Sequence, residues 1–502
     1  MRERCVVTFK ALSAHADPLG SCAVKLPRRI SNECLAVLLT GAGFPSLERF
    51  ATAVNERAWN LYGLKLTYDH VSVKRWLSGC SCQNADVVAG VLSEAWGIDI
   101  PAAVIWPELR DGGIPIPAHL QAWVPSRTLE DLGVFLRSDM LTRRDLLAGS
   151  VTVATGAALT DPIERWLDAD VGRLEAKTDG PGRISIEMVE DLERATRHFA
   201  TAEAANGGGL SREAGVGQLK YAVDLAAHGT YTEQVGNRLL AAIAELAGLV
   251  GWMCLDSAMK GPAQRYFVFG LQAARESTHQ RAPMLVISIL SDLARHMRLA
   301  GKPKTALRLL DLAIDQLPSE RHRCNRMRSM LWMQKAWAMS HLGTSCLPEV
   351  RNALSLAEDL RSAAREEQWD VDWLAHRISD DIESEAGTAS VASASYLILA
   401  REEPRLAADA ETATLRSISH RRDGQKKQTV LEHIRLASVR FVAGEPDEAC
   451  RDAHHALTLA EQIRGSDMLR MRLRELTDDT VPYQGRSSVK DLRGRLKATL
   501  TS

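Results

Sequence analysis

The amino-acid sequence predicts an all-α protein, because its composition, its periodicity and a recurring spacing of small residues all favour helices. Aromatic residues make up only 5% of the 502 residues, whereas Ala, Leu and Arg, which are strong helix formers, are abundant. From Tyr221 to about Arg474, nearly the whole sequence divides into helical segments of about 12–18 residues with short polar loops between them. No alternating strand pattern of useful length interrupts these segments, so we expect helices packed on helices.

The charge and cysteine content exclude several classes of protein. The sequence has 62 Lys and Arg against 63 Asp and Glu, which gives a formal net charge of −1. Nucleic-acid binding would therefore be confined to one segment. The nine cysteines are scattered from Cys5 to Cys450, which indicates reduced thiols and no disulfide framework. No apolar run has the ~18 residues of a membrane span or the length of a signal peptide at the N-terminus, so we expect a cytoplasmic protein that binds no membrane.

One internal segment resembles an export signal. Arg143-Arg144 precedes an Ala- and Gly-rich apolar stretch, as in a twin-arginine signal. Such signals act from a free N-terminus, so the position inside the chain favours a linker helix. The alternative is internal initiation at Met140, which would give a shorter, exported product.

Breaks in the helical pattern predict the order of the domains. We expect an atypical lead-in, a helix-turn-helix domain, a Pro- and Gly-rich linker, a connecting helical region, tetratricopeptide-like repeats and a polar, partly mobile tail. In the same order, these segments are residues 1–30, 31–106, 107–127, 128–205, 206–475 and 476–502.

The stretch from Asp69 to Gly79 predicts the recognition helix of the helix-turn-helix. Asp69 is a good N-cap, and Gly79 stands where a left-handed glycine ends many helices. The helix before it, with Ser46 as its N-cap candidate, would be the scaffold helix. On the recognition helix, three apolar residues share the face that would seat it: Val73, Trp76 and Leu77.

The rest of that helix carries the residues that we expect to contact DNA. His70, Ser72 and Lys74 are candidates for contacts to base edges, and Arg75 for a phosphate contact. From Lys25 to Gly79 there are eight Lys and Arg against four Asp and Glu, a local charge of +4, which favours phosphate binding. The alternative is a small helical bundle whose charges form only a solvated face.

Small residues recur where the two helices of a hairpin repeat would cross. Three triplets share intervals of 12 and then 7 residues, the spacing that the tetratricopeptide pattern also has. They are Gly251/Ala263/Gly270, Ala294/Ala306/Ala313 and Ala437/Ala449/Ala456. The triplets predict an α-solenoid, and the alternative is a helical domain without repeats.

In a solenoid of this kind, the first helix of each repeat lines a concave groove. Counting along the repeats from Gly251 and Ala294 places eight residues on the groove: Glu245, Gly248, Trp252, Leu255, Ser288, Ser291, Arg295 and Arg298. Arg295 and Arg298 suit a carboxylate or an acidic peptide, and Gly248 leaves room beside Trp252. We therefore expect a peptide or protein partner in the groove. The alternatives are a solvated face or pairing with Asp292.

Two stretches of the sequence carry a resemblance to a known family. One is Val54-Asn-Glu-Arg-Ala-Trp-Asn-Leu-Tyr-Gly with Thr67-Tyr-Asp-His-Val-Ser-Val-Lys-Arg-Trp-Leu-Ser-Gly79; the other is Ala244-Glu-Leu-Ala-Gly-Leu-Val-Gly-Trp-Met-Cys-Leu-Asp256 with Ala263-Gln-Arg-Tyr-Phe267. With the Gly207–Gly209 turn, they resemble streptomycete regulators that join an Xre-type helix-turn-helix to tetratricopeptide-like repeats. The resemblance implies a regulator of differentiation or antibiotic production, and 48 Arg against 14 Lys suits an actinobacterial source.

No motif predicts an enzyme, a cofactor or a metal site. Walker-type, dinucleotide-binding and His-Glu-x-x-His patterns do not occur, and Cys80-Ser-Cys82 has no second pair to complete a zinc set. The sequence thus predicts a homodimeric transcriptional regulator that binds double-stranded DNA and receives a ligand, peptide or partner in its repeats. The alternative function is a protein-interaction scaffold that does not bind DNA.

Overall fold

The computed structural model confirms the prediction of an all-α protein. It describes residues 27, 30–62, 66–80, 82, 84–96, 100, 105–106, 123–124, 127–141, 153–169, 171, 174–206, 212–318, 324–364, 384–421, 425–461, 463 and 466–501. Apart from two isolated bridges, these residues form helices and their connections. Arg143 and Arg144, the Gly207–Gly209 turn and most of the predicted lead-in and linker lie outside the described residues. The described residues form two compact units, one before residue 107 and one from residue 123 onward.

The first unit contains α1 (Glu33–Gly41), α2 (Leu47–Tyr62), α3 (His70–Leu77) and α4 (Ala85–Trp96). Both predicted N-caps are confirmed: the Ser46 hydroxyl accepts a hydrogen bond from the Arg49 amide, and the Asp69 carboxylate accepts one from the Ser72 amide. Gly79 follows α3 with a φ of 95°, a conformation that side chains with a Cβ rarely adopt. Local sequence therefore determines where these helices begin and end.

The core of the first unit holds α3 in place. Val73, Trp76 and Leu77 are buried, as predicted, and the Trp76 ring lies edge-on to Tyr68 at 4.8 Å between centroids. The Asn55 side chain of α2 donates to the Tyr68 carbonyl at 2.7 Å and accepts from the Tyr68 amide at 3.0 Å. This two-point contact fixes the backbone that leads from α2 into α3.

The second unit contains the remaining helices of the described residues. In order, they are α5 (Thr128–Leu141), α6 (Ala157–Asp168), α7 (Ile186–Asn206), α8 (Arg212–His228), α9 (Glu233–Asp256), α10 (Lys260–Glu276), α11 (Ala282–Leu299), α12 (Pro303–Asp315), α13 (Asn325–Ser340), α14 (Leu347–Ala363), α15 (Glu385–Ala400), α16 (Ala407–Ser419), α17 (Lys426–Ala443), α18 (Pro446–Ala460), α19 (Asp467–Asp479) and α20 (Ser487–Thr501).

From α9 onward the helices pack in consecutive pairs, beginning with α9/α10 and ending with α19/α20. The first helix of each pair also packs against the first helix of the next pair. The helices of the second unit therefore form two layers, with α9, α11, α13, α15, α17 and α19 in one of them. This arrangement is consistent with an α-solenoid.

The predicted triplets lie at the contacts within the pairs. All nine of their residues are buried. A Cβ added at Gly251 would lie 2.8 Å from the Phe267 ring, and one added at Gly270 would lie 3.0 Å from the Ala244 carbonyl oxygen. Small residues are needed here because the two helices of a pair approach each other closely.

The prediction of a polar, partly mobile tail at 476–502 is wrong. Residues 487–501 form α20, and its Val489, Leu492 and Leu496 are completely buried against α18 and α19. Arg, Lys, Ser and Thr dominate the composition of this segment. The three apolar residues nevertheless recur at helical spacing, and this stripe is enough to dock the helix.

A buried ionic contact ties the first pair to the fifth. The Lys427 amine of α17 lies 2.8 Å from a Glu203 carboxylate oxygen and 3.2 Å from one of Asp256, at the end of α9. The Ser466 hydroxyl, at the start of α19, donates to Asp256 at 3.0 Å. Burial favours a lower pKa for Lys427, but the two carboxylates outweigh it and raise the pKa, so the amine stays charged.

One helix of the described residues, α9, is long and apolar enough to cross a membrane, with a mean hydropathy of 1.7 in its most apolar stretch. However, 94% of that stretch is buried inside the protein. Its partners are the helices α7, α8, α10 and α11. The helix thus has the environment of a core helix.

Candidate functional site

The first candidate site is the exposed side of α3. Val71, Lys74, Arg75 and Ser78 are exposed and recur at i, i+3, i+4 and i+7, so they form one stripe, which we name the α3 face. It lies opposite the buried residues of the same helix. Val71, which is 48% exposed, is a member that sequence reasoning missed. Its spacing from Lys74 and Arg75 is the signal that could have identified it.

The predicted DNA-contacting residues have different environments. Lys74 and Arg75 are exposed, as a contact with DNA requires. Ser72 belongs to a capping box, because its hydroxyl donates to the Asp69 carboxylate at 2.9 Å. Hydrogen bonds from the Ser72 amide and hydroxyl lower the pKa of Asp69. The Ser72 hydroxyl therefore stabilises the start of α3.

His70 is exposed but lies against a carboxylate of α2. Its Nδ1 atom lies 3.0 Å from a Glu48 carboxylate oxygen, and the His70 amide donates to the same oxygen at 3.0 Å. Glu48 therefore fixes the first turn of α3. It also places a negative charge at one end of the helix that carries Lys74 and Arg75.

The two cysteines after α3 do not share an environment. Cys80 is exposed, whereas Cys82 is buried in the core of the first unit. Within the described ranges, no group of three or more His, Cys, Asp or Glu side chains is placed to hold a metal ion.

The second candidate site is a cavity of about 210 Å³ in the second unit. It is lined by α7 and by the first helix of each pair from α9 to α19. Six of the eight predicted groove residues line it: Gly248, Trp252, Ser288, Ser291, Arg295 and Arg298. Glu245 and Leu255 are buried away from it. The repeat spacing thus identified most of one wall.

The structure brings the predicted groove residues Arg295 and Trp252 together and adds a second pair of the same kind. The Arg295 guanidinium lies over the Trp252 ring at 4.7 Å from its centroid. The Arg298 guanidinium lies over the Trp337 ring at 3.6 Å. Cation–π contacts of this type hold both arginines flat against the cavity wall.

The lining of the cavity has an excess of positive charge. Six basic residues line it against three acidic ones, namely Arg295, Arg298, Arg421, Lys427, Arg435 and Arg472 against Glu203, Asp292 and Glu432. Arg421 and Arg435 share the Glu432 carboxylate, and Arg472 pairs with Glu475 at 2.7 Å. With Glu475 and Asp256, which pairs with Lys427, the carboxylates leave an excess of one positive charge, so the cavity favours an anion.

Sequence reasoning missed the residues that α13, α17 and α19 contribute to the cavity. Gln334 and Trp337 on α13, and Arg435 on α17, face it. The pair α13/α14 and the pair α15/α16 fit the triplet spacing poorly, so no groove positions were counted on them. The helical spacing of Met330, Gln334 and Trp337 on the cavity side is a signal that could have identified that wall.

The stretch from Gly251 to Phe267 connects the solenoid to the helices before it. The Tyr266 hydroxyl donates to the Asp139 carboxylate of α5 at 2.7 Å, and Arg212 forms an ion pair with the same carboxylate. The Arg212 Nε donates to the Cys254 sulfur at 3.2 Å. Burial raises the pKa of the Cys254 thiol to about 12, so this cysteine stays protonated and structural.

Comparison with protein-family models gives a similarity in the first unit. The family model of the SP15 N-terminal domain matches residues 35–105, which include α2, α3 and α4 and most of α1. No curated protein matches the chain. The similarity thus concerns the unit that carries the α3 face.

Proposed function

We propose that the protein is a cytoplasmic, DNA-binding transcriptional regulator with double-stranded DNA as its partner. The α3 face is the observation that carries this proposal. The helix α3 has eight residues. Its buried face is fully apolar, and its exposed face presents two basic side chains and a valine. A recognition helix needs this division between a seated face and a face that enters the major groove.

The chemistry of the α3 face suits DNA. Lys74 can reach base edges or phosphates, Arg75 phosphates, and Val71 can contact a thymine methyl group. The Asn55 contacts and the Asp69 capping box hold the helix before DNA arrives, so little ordering cost remains at binding. Because a helix of this kind reads a half-site, we expect a homodimer on two half-sites.

The features of the second unit support a role in binding a regulatory ligand or partner. Its paired helices and buried small-residue triplets suit tetratricopeptide-like repeats, and its cavity contains Arg295, Arg298 and Trp252. We propose that a ligand, peptide or protein partner binds there and changes DNA binding. The similarity of the sequence to streptomycete regulators supports control of differentiation or secondary metabolism.

The test begins with a genome-wide map of DNA bound by the tagged full-length protein, which supplies the operator. The Lys74→Ala variant is then compared with the wild type on operator and random DNA. Loss of a base contact costs about 1–3 kcal/mol, so we expect the preference for operator to fall by about 5- to 150-fold. Lys304→Ala is the matched control, because Lys304 is an exposed lysine of α12.

Helicity by circular dichroism shows whether each variant is folded. If folded Lys74→Ala keeps the full preference for operator, α3 is not the recognition helix. The control is expected to bind both DNAs as the wild type does.

A second candidate function is a protein-interaction scaffold that does not bind DNA. The Glu48 carboxylate beside His70 favours it, because a negative charge at the start of α3 repels phosphates. Retention of the full-length protein on DNA at low salt separates the two functions. A scaffold is not retained, whereas a regulator is retained and released as salt rises.

A further inference from the structure

Three of the residues that line the cavity carry a buried hydrogen-bond donor that has no partner among the described residues. These donors are the Nε atom of Arg298, the Nε2 atom of Gln334 and the Nε1 atom of Trp337. Arg298 is only 5% exposed and Gln334 only 2%. No carboxylate of the described residues forms an ion pair with Arg298. Donors in such positions are nearly always satisfied in folded proteins.

The Arg298 guanidinium is the most costly of these groups. Burial, together with the nearby Arg472 and Arg295 charges, lowers its pKa well below the ordinary value. Removing a charge from water without a counterion is strongly unfavourable. The protein therefore retains a destabilising charge at this position, which is typical of a binding site and not of a core.

We propose that the cavity binds a small organic anion whose carboxylate or phosphate accepts hydrogen bonds from Arg298 and Gln334. The anion would offset the positive charges of the lining and satisfy the donors. Its body would lie against the apolar part of the lining: Leu249, Leu299, Met330, Val391, Leu431 and Met468. Only the effect of the anion on DNA binding depends on the regulatory role proposed above. Binding of the anion to the cavity is measured without DNA and tests the proposal independently.

Contacts across the cavity favour a small molecule over a peptide. Helices from α7 to α19 contribute to the lining. Lys427 of α17 contacts Glu203 and Asp256, and Ser466 at the start of α19 also contacts Asp256. A cavity of about 210 Å³ is comparable to the cavities of about 150 Å³ that bind small molecules such as benzene. A folded or extended peptide needs an open groove that spans several repeats.

The test uses the full-length protein and calorimetric titration with three probes. Octanoate combines a carboxylate with an apolar chain, octan-1-ol has the same chain without charge, and inorganic phosphate has charge without the chain. We expect octanoate to bind more tightly than either of the other two. Equal binding of octanoate and octan-1-ol, or phosphate binding as tight as octanoate binding, would overturn the proposal.

The variants test the role of Arg298. Arg298→Met keeps the volume and removes the charge, so we expect octanoate affinity to fall by about 10- to 100-fold. In the ligand-free protein, the same change is expected to raise the Tm by about 3 °C, because a buried unpaired charge is removed. The matched control is Arg351→Met, since Arg351 is exposed and pairs with Asp409 on the other layer of helices.

A second cavity variant, Gln334→Met, covers the case in which Arg298→Met does not fold. It removes one donor and is expected to weaken octanoate without affecting octan-1-ol. If folded Arg298→Met binds octanoate as the wild type does, or if it is less stable than Arg351→Met, the cavity is not an anion site.

Discussion

The α3 face and the cavity both present basic residues, but they place them in opposite environments. Lys74 and Arg75 are in water, where salt screens their charge and their attraction for a partner acts over about a Debye length. Arg298 is 5% exposed, where the low dielectric strengthens short contacts and penalises an unpaired charge. In the two proposals, basic residues bind a long, charged polymer at the surface and a small anion in the interior.

The two sites also differ in how far apart their residues are in the sequence. The α3 face is contained in eight residues from Val71 to Ser78, and its geometry follows from one capped helix. The cavity combines residues from Ala200 to Arg472, so it exists only if the helix pairs close around it. Changes that open the solenoid should therefore remove the cavity and leave the α3 face intact.

Breaking the contact between the first and fifth pairs should have the largest effect. Asp256 is completely buried and bound by Lys427 and Ser466, so Asp256→Ala leaves a buried amine with only one of its two carboxylates. We expect a loss of about 3 kcal/mol in the free energy of unfolding, measured by urea denaturation. Octanoate binding should be lost, whereas DNA binding by the α3 face should remain.

Asp224→Ala is the control for this change. Asp224 pairs with Lys220 one turn away, and both side chains are about a third or more exposed, so its loss should cost no more than ~0.5 kcal/mol. If the two variants are equally stable, the Lys427 contact does not hold the solenoid closed.

Salt should weaken DNA binding more than octanoate binding, and this difference is smaller than the effect expected of Asp256→Ala. Lys74 and Arg75, with two phosphate contacts per subunit, predict that DNA affinity falls by at least about tenfold between 50 and 200 mM salt. Octanoate affinity should fall by a smaller factor, because salt screens buried charges less than exposed ones. The two titrations are run on the same full-length protein. Equal salt dependence would place the octanoate site at the surface.

Much of the fold could be predicted from the sequence, because its signals are local. The caps at Ser46 and Asp69, the buried face of α3 and the small residues of Gly251/Ala263/Gly270 depend on spacing alone. The helix at 487–501 was missed because its composition is polar, although Val489, Leu492 and Leu496 are spaced for one buried stripe. The composition of this segment does not predict a docked helix, whereas the periodicity of its apolar residues does.

The candidate sites were predictable only in part. Arg295, Arg298 and Trp252 follow from groove positions counted on two of the three repeats that have the triplet spacing. The helical spacing of Met330, Gln334 and Trp337 indicates a shared face of α13. The distance between that face and the walls with Arg298 and Arg435 depends on how the pairs stack, and no local pattern encodes it. The position of Ser72 in the first turn, away from the buried face, predicts a DNA contact. In the structure its hydroxyl donates to Asp69, a side-chain direction that spacing alone does not determine.

The smallest expected effect concerns Glu48, which reduces the positive charge at the start of α3. Glu48→Gln removes the charge while the amide oxygen can still accept from the His70 amide, so the first turn should stay in place. Since Glu48 is exposed, screening limits the gain, and we expect DNA affinity to rise only about two- to threefold at low salt.

Glu56→Gln is the matched control, because Glu56 is exposed on the same helix and lies more than two turns from Glu48. Both variants are measured by fluorescence anisotropy on the same DNA at two salt concentrations. A rise for Glu48→Gln alone, which disappears at high salt, would locate the phosphates next to the first turn of α3. Equal rises for both variants would instead reflect only the net charge of the unit, and the α3 face would lose its special role in the comparison with the cavity.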